Sequence, residues 1–160
     1  MKLHCISDTH TKHREIELPG GDVLVHAGDI MSKDDPAQLI DFLIWFDEQP
    51  YTHKVFICGN HDHVFEDNPE LVEKILRLFP KLNYLQDSEV TLDGIKFYGT
   101  PWIPTNHLGK AFSFLRDATV LAKSHFKNIP DDTDVLITHG PAYNKLDKIV
   151  KPVREGQTKL

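Results

Sequence analysis

The chain has 160 residues, 40% hydrophobic and 26% charged, with a formal net charge of -6. That length suits a single domain with a real core, and an acidic chain has the wrong sign to attract nucleic acid or anionic lipid over long range. No segment reaches the ~20 apolar residues of a membrane span, and Met1-Lys2-Leu3-His4-Cys5 leads straight into a strand-like run without a signal-peptide pattern, so a cytoplasmic protein without a membrane partner is expected.

Taken in chain order, the first apolar run, Leu3–Ile6, closes on Ser7-Asp8. The second, residues 23–25, closes on His26-Ala27-Gly28-Asp29. A helix is predicted over Pro36–Glu48, capped by Asp34 or Asp35 and opened by Pro36. The third apolar run, residues 55–58, closes on Gly59-Asn60. Residues 68–79 repeat the helical device, with Asn68 as cap, Pro69 at the first turn and a stripe of Leu71, Val72, Ile75, Leu76 and Phe79. Residues 89–92 and 95–98, joined by Asp93-Gly94, read as a hairpin in a second sheet or at an edge. A third helix is predicted over residues 112–125, and a fourth strand, residues 135–137, closes on Thr138-His139. Short continuous aliphatic runs alternating with helices imply an α/β layer fold with a largely parallel sheet. The two cysteines, Cys5 and Cys58, lie in apolar runs and read as reduced and buried; a disulfide would require their strands to be neighbours.

Each strand run is followed by a residue able to ligate a divalent ion: Asp8, Asp29, Asn60 and His139. Functional groups gather beyond the carboxyl ends of parallel strands, so four strands would aim these donors at one crevice. His10 follows Asp8 by two, a spacing that puts both side chains on one side of an extended backbone. Carboxylate, imidazole and amide donors suit Mn, Fe, Zn or similar ions. Two such ions bridged by a carboxylate can clamp a phosphoryl group and supply a hydroxide for in-line attack. A neighbouring histidine is the natural proton donor to the leaving oxygen.

Asp8-Thr9-His10, Gly28-Asp29, Gly59-Asn60-His61-Asp62 and Thr138-His139-Gly140 resemble, in order and spacing, the D-x-H, G-D, G-N-H-D/E and first C-terminal histidine motifs of the calcineurin-like metallophosphoesterases, over residues 3 to 143. The stretches Ile6-Ser7-Asp8-Thr9-His10, Gly99-Thr100-Pro101-Trp102 and Thr138-His139-Gly140-Pro141 are closest to the small metallophosphoesterase-domain proteins, some of which cleave cyclic nucleotides. Asp29 is not followed by the aspartate-arginine-glycine run of the protein Ser/Thr phosphatases. The resemblance implies an αββα sandwich of two mixed β-sheets flanked by helices. It implies hydrolysis of a small phosphomonoester or phosphodiester by a metal-bound hydroxide. It assigns Asp8 and His10 to a first ion, Asp29 to the bridge, and Asn60 and His139 to a second, with Mn favoured over Fe, Zn or Ni and a single bound ion as the alternative. His61 would assist leaving-group departure, and Asp62 would orient it or serve structurally. The family pattern continues with a G-H-x-H motif that this sequence lacks. The expectation is therefore a single domain over residues 1 to 160, shortened at its C-terminal end, in which water, a neighbouring subunit or another histidine replaces one ligand of each ion. Two rival readings are a non-catalytic metal- or nucleotide-binding module and a nuclease.

The remaining histidines have plainer readings. His26 reads as packed and hydrogen-bonded, His4 as part of the first strand, and His53 and His125 as solvated. His13, His63 and His107 lie near the motifs or in a loop, where an ordinary structural or surface role is the default. Trp45 and Trp102 read as core or pocket wall. The series Lys145, Lys148, Lys151, Arg154 and Lys159 reads as a solvated stretch.

Overall fold

The central strands are buried on both faces, and their side chains point alternately into two cores, which sets the layers. The computed structural model describes residues 1–33, 35–105, 110–115 and 124–142. Its elements run β1 (Leu3–Ile6), β2 (Gly21–Ala27), α1 (Pro36–Glu48), β3 (Tyr51–Ile57), α2 (Val64–Asp67), α3 (Pro69–Leu76), β4 (Leu82–Tyr84), β5 (Ser88–Leu92), β6 (Ile95–Thr100), β7 (Ile103–Thr105), β8 (Ser113–Leu115) and β9 (Val135–Thr138). Strands β1 to β4 form a parallel sheet in chain order, and β5, β6 and β9 form a second sheet, with β5 antiparallel and β9 parallel to β6. Val23, Val25, Val55 and Ile57 point from the first sheet into a core shared with Leu85, Leu92, Phe97 and Ile137. Leu24 and Phe56, one residue out of phase, point the other way onto Leu39, Phe42, Leu43 and Phe46 of α1 and Val72 and Ile75 of α3. The architecture is therefore a two-sheet α/β sandwich with helices on the outer face of the parallel sheet. Among the described residues, only the second sheet is mixed.

Helix α1 is fixed at both ends. The Asp35 carboxylate accepts the Ala37 N–H at 2.9 Å, which chooses Asp35 as the cap; Asp34 lies outside the described residues. At the other end the buried Lys54 ammonium donates to the Asp47 and Gln49 carbonyls at 2.6 and 3.1 Å, placing a cation where the helix dipole is negative. Asn68 caps α3 as expected, accepting the Leu71 N–H at 3.3 Å. No helix among the described residues is long and apolar enough to cross a membrane.

Several expectations are corrected. Residues 113–115, placed in a helix, form strand β8, which pairs in parallel with β7; residues 124–126 are helical, and residues 116–123 lie outside the described residues. Cys5 is exposed, because β1 is an edge strand, and β2 separates it from the strand leading to Cys58; both cysteines are free. His53 is half-buried and bonded to Asp93 at 3.1 Å. His125 is likewise half-buried, stacked on Trp102 with ring centroids 3.6 Å apart. His107 and the basic series after residue 142 lie outside the described residues.

His26 and His13 are fully buried, as core residues. His26 packs against Phe42 and Phe46 at centroid distances of 5.0 and 6.4 Å. The Gly28 N–H donates to its Nδ1 at 3.3 Å, so the ring proton sits on Nε2 and meets Thr9 Oγ1 at 3.0 Å. Burial lowers its pKa from 6.5 to about 3, helped by the nearby His13 and His139. The native state thus binds fewer protons than the unfolded chain between those two values. The stability that neutral His26 confers is complete above pH 6.5 and is lost as pH falls toward 3. Urea titrations should show stability declining below pH 6.5, with this residue adding at most about 1.4 kcal/mol per pH unit; His26→Gln should flatten that slope, and an unchanged slope would exclude His26 as its source.

Candidate metal centre

The donors sit on turns that leave the strands rather than on the strands themselves. Asp8, His10 and Asp29 all have left-handed backbone, with φ of 54, 43 and 57°. Asp and His tolerate this region better than most side chains, but it remains strained, and strain of this kind collects at functional sites. The convergence of Asp8 and His10 therefore does not come from an extended i, i+2 spacing, as the sequence suggested. It comes from two loops zipped together: Asp8 N donates to Gly28 O at 2.9 Å, His10 N to Asp29 O at 3.1 Å, and Thr11 N to Ile30 O at 3.0 Å.

One oxygen or nitrogen from each of Asp8, His10 and Asp29 lies within 4.8 Å of the others. His10 Nε2 is 3.5 Å from Asp29 Oδ2, and His139 Nε2 is 3.4 Å from Asp29 Oδ1. Asn60 Oδ1 lies 3.1 Å from the same His139 nitrogen. The predicted residues Asp8, His10, Asp29, Asn60 and His139 thus surround a buried carboxylate whose two oxygens face two different imidazoles. Four of them, Asp8, His10, Asp29 and Asn60, come from the loops beyond β1, β2 and β3, whereas His139 follows β9 of the second sheet.

The imidazoles are held in the form a cation needs. His10 Nδ1 meets the Met31 carbonyl at 3.0 Å and His139 Nδ1 meets the Ala27 carbonyl at 2.8 Å. A carbonyl only accepts, so each Nδ1 carries the proton and each Nε2 turns a lone pair to the centre. Such backing of Nδ1 is the usual arrangement behind a ligating histidine. At the His139 end Nε2 lies 3.4 Å from Asp29 Oδ1 and 3.1 Å from Asn60 Oδ1, so either a proton on Nε2 or a cation stands between these atoms. A divalent cation can take that place, so the donor set fits one. Burial pushes the Asp29 carboxyl up, but His139 and the His61 N–H, 2.9 Å from Oδ1, outweigh it and leave its pKa below the usual carboxylate value. Burial likewise works against charging His139, yet Asp29 and the Ala27 carbonyl raise its pKa.

His61 stands at the rim, partly exposed, with its ring edge-on to His10 at 5.0 Å between centroids. Burial holds its pKa below the ordinary histidine value against the pull of Asp29, and Lys110 adds to the lowering. Lys110 Nζ lies 2.9 Å from His61 Nε2. No sequence motif contains Lys110; it arrives because Ala111 N donates to Asn60 O at 3.2 Å. Asp62 has no solvent exposure. Its carboxylate accepts N–H groups from Ile30 at 3.0 Å, Met31 at 2.9 Å and Gly59 at 2.8 Å. Burial pushes its pKa up to about 6 despite these donors. Gly59 has no room for a side chain, since a Cβ would overlap Asp29 and the His139 ring.

The fold and these donors define an α/β sandwich with a candidate divalent-metal centre at the ends of its sheets. The calcineurin-like phosphoesterase family profile matches residues 1–156, and the chain belongs to that family. It is 36% identical to metallophosphoesterase domain-containing protein 1 of Homo sapiens over 94% of this chain and 51% of that protein, with the same figures for the Mus musculus protein. It is 33% identical to a UPF0046 protein of Caenorhabditis elegans over 92% of this chain and 53% of that one. The chain spans about half the length of these curated relatives.

Asp62→Asn turns an amide nitrogen toward donors that need an acceptor. We expect a stability loss of about 1–3 kcal/mol for each N–H orphaned, together with weaker Mn binding, read by denaturant unfolding and calorimetry. Mn affinity equal to that of the unaltered protein would show that Asp62 does not hold the two loops in ligating position.

Proposed function

We propose that this chain is a metal-dependent hydrolase of small phosphoesters, acting on phosphomonoesters or phosphodiesters, cyclic nucleotides included. The observation that carries the reading is Asp29: a buried carboxylate with one oxygen facing His10 and the other facing His139, whose same nitrogen meets Asn60. Asp8, His10 and Asp29 would hold one divalent ion, and Asp29, Asn60 and His139 a second, with Mn favoured. Such ions neutralise charge on phosphoryl oxygens and acidify a water nucleophile.

The protein's own groups supply orientation and the proton. The Nδ1 bonds of His10 and His139 to backbone carbonyls keep both rings from turning. Asp62 fixes the loops bearing Asp29 and Asn60 relative to each other. His61, anchored through its backbone to Asp29, offers its imidazole at the rim, where a leaving alkoxide would take a proton. The free thiols of Cys5 and Cys58 suit a reducing, cytoplasmic setting.

Metal content and turnover of p-nitrophenyl phosphate and bis(p-nitrophenyl) phosphate with added Mn test the reading. Chelation should abolish turnover and Mn should restore it. Asp29→Ala should cost more than about 100-fold, beyond the usual effect of altering an outer-sphere partner, whereas His61→Ala should lower kcat by about 10²–10⁴-fold with Mn still bound. Bound Mn without turnover of any phosphoester, cyclic nucleotides included, would instead identify a binding module, and cleavage of single-stranded nucleic acid lost in Asp29→Ala would identify a nuclease.

A further inference from the structure

We propose that Lys110 reads the charge of the substrate and favours phosphomonoester dianions over phosphodiester monoanions, an inference that rests on the phosphoesterase reading above. The Lys110 ammonium is held against an imidazole, 2.9 Å from His61 Nε2 and 3.5 Å from Nδ1. Among the described residues no carboxylate lies within ion-pair distance of it. Its backbone is fixed on both sides: the Ala111 N–H donates to the Asn60 carbonyl at 3.2 Å, and Ser113 Oγ donates to the Lys110 carbonyl at 2.6 Å. The same lysine lines a cavity of about 130 Å³ with Asn60, Ile103, Pro104, Thr105 and Ser113. The cation is therefore placed beside one candidate metal ligand and beside the rim histidine, facing a partly enclosed space.

A phosphomonoester carries roughly two negative charges at pH 7, whereas a diester carries one. Asp8 and Asp29 would offset only part of the charge of two divalent ions, so the centre already favours anions. A further cation at its edge adds most to the more highly charged ester. A monoester also presents a third non-bridging oxygen that can accept from an ammonium. In a diester that position bears a carbon substituent, which would desolvate the lysine without bonding to it. Both effects have the same sign.

The test compares the Mn-loaded protein with Lys110→Gln and Lys110→Arg on p-nitrophenyl phosphate and bis(p-nitrophenyl) phosphate. Lys110→Gln should lose about tenfold more in kcat/KM on the monoester than on the diester, the value of one charge-assisted hydrogen bond, and Lys110→Arg should recover most of it. Calorimetry with inorganic phosphate and with dimethyl phosphate supplies a readout without turnover: the glutamine variant should weaken phosphate binding selectively. Equal losses on both esters, or unchanged phosphate binding, would overturn the assignment. Absence of turnover by the unaltered protein would count against the phosphoesterase reading alone, because the phosphate-binding comparison still decides the role of Lys110.

Discussion

A buried carboxylate sets the geometry on which the candidate centre depends. Asp62 accepts hydrogen bonds from Ile30 and Met31, just beyond Asp29, and from Gly59, just before Asn60. It therefore ties the loop after β2 to the loop after β3. The zipper between Asp8–Thr11 and Gly28–Ile30 ties the loop after β1 to the same assembly. Burying an ionised group is costly unless its lone pairs are satisfied. Here the cost, visible in the raised pKa of Asp62, is offset by backbone donors that would themselves be orphaned without it. The carboxylate and the loops satisfy each other, and three parallel strand ends become one rigid platform.

What the sequence disclosed follows from where the physics is local. Asp35 and Asn68 with the prolines after them, the Asp93-Gly94 turn and the stripe of α3 are read within a few residues, and each appears where expected. The motif residues Asp29 and Asn60 converge because the parallel neighbours β2 and β3 place their carboxyl ends together, whereas His139 arrives from the second sheet. Other features were hidden because non-local pairing creates them. β8 is a strand only because β7 lies beside it, while its own residues also suit a helix. The left-handed turns at Asp8 and His10 exist because the Gly28 and Asp29 carbonyls accept their N–H groups. Lys110 reaches His61 through one backbone bond between Ala111 and Asn60, which no periodicity announces.

The site is bought with local instability. Asp8, His10 and Asp29 occupy a backbone region that costs of order 1–3 kcal/mol for each residue held there, and Asp29 is a buried carboxylate. The apolar layers compensate: the α1 face packs Phe42 and Phe46 on Phe56, and the inter-sheet layer packs Val23, Val25, Val55 and Ile57 on Phe97 and Ile137. Strain is thus confined to the strand ends, and burial to the sheet centres.

His139 makes the centre a property of the whole sandwich. The first three donor loops belong to one sheet, but His139 follows β9, which reaches them only when it lies parallel to β6 and the inter-sheet core is closed. Its ring is then locked by the Ala27 carbonyl, 112 residues earlier in the chain. In an unfolded or half-docked chain Asn60 and the Oδ1 side of Asp29 lack the His139 imidazole. A cation that uses all three groups can bind only the docked arrangement, so its binding free energy adds to the cohesion of the two sheets by mass action. Without a cation, a proton on His139 Nε2, favoured by Asp29, competes for the same place. The contact between the sheets and the affinity for metal are therefore two expressions of one linked equilibrium, with His139 as the residue through which each acts on the other.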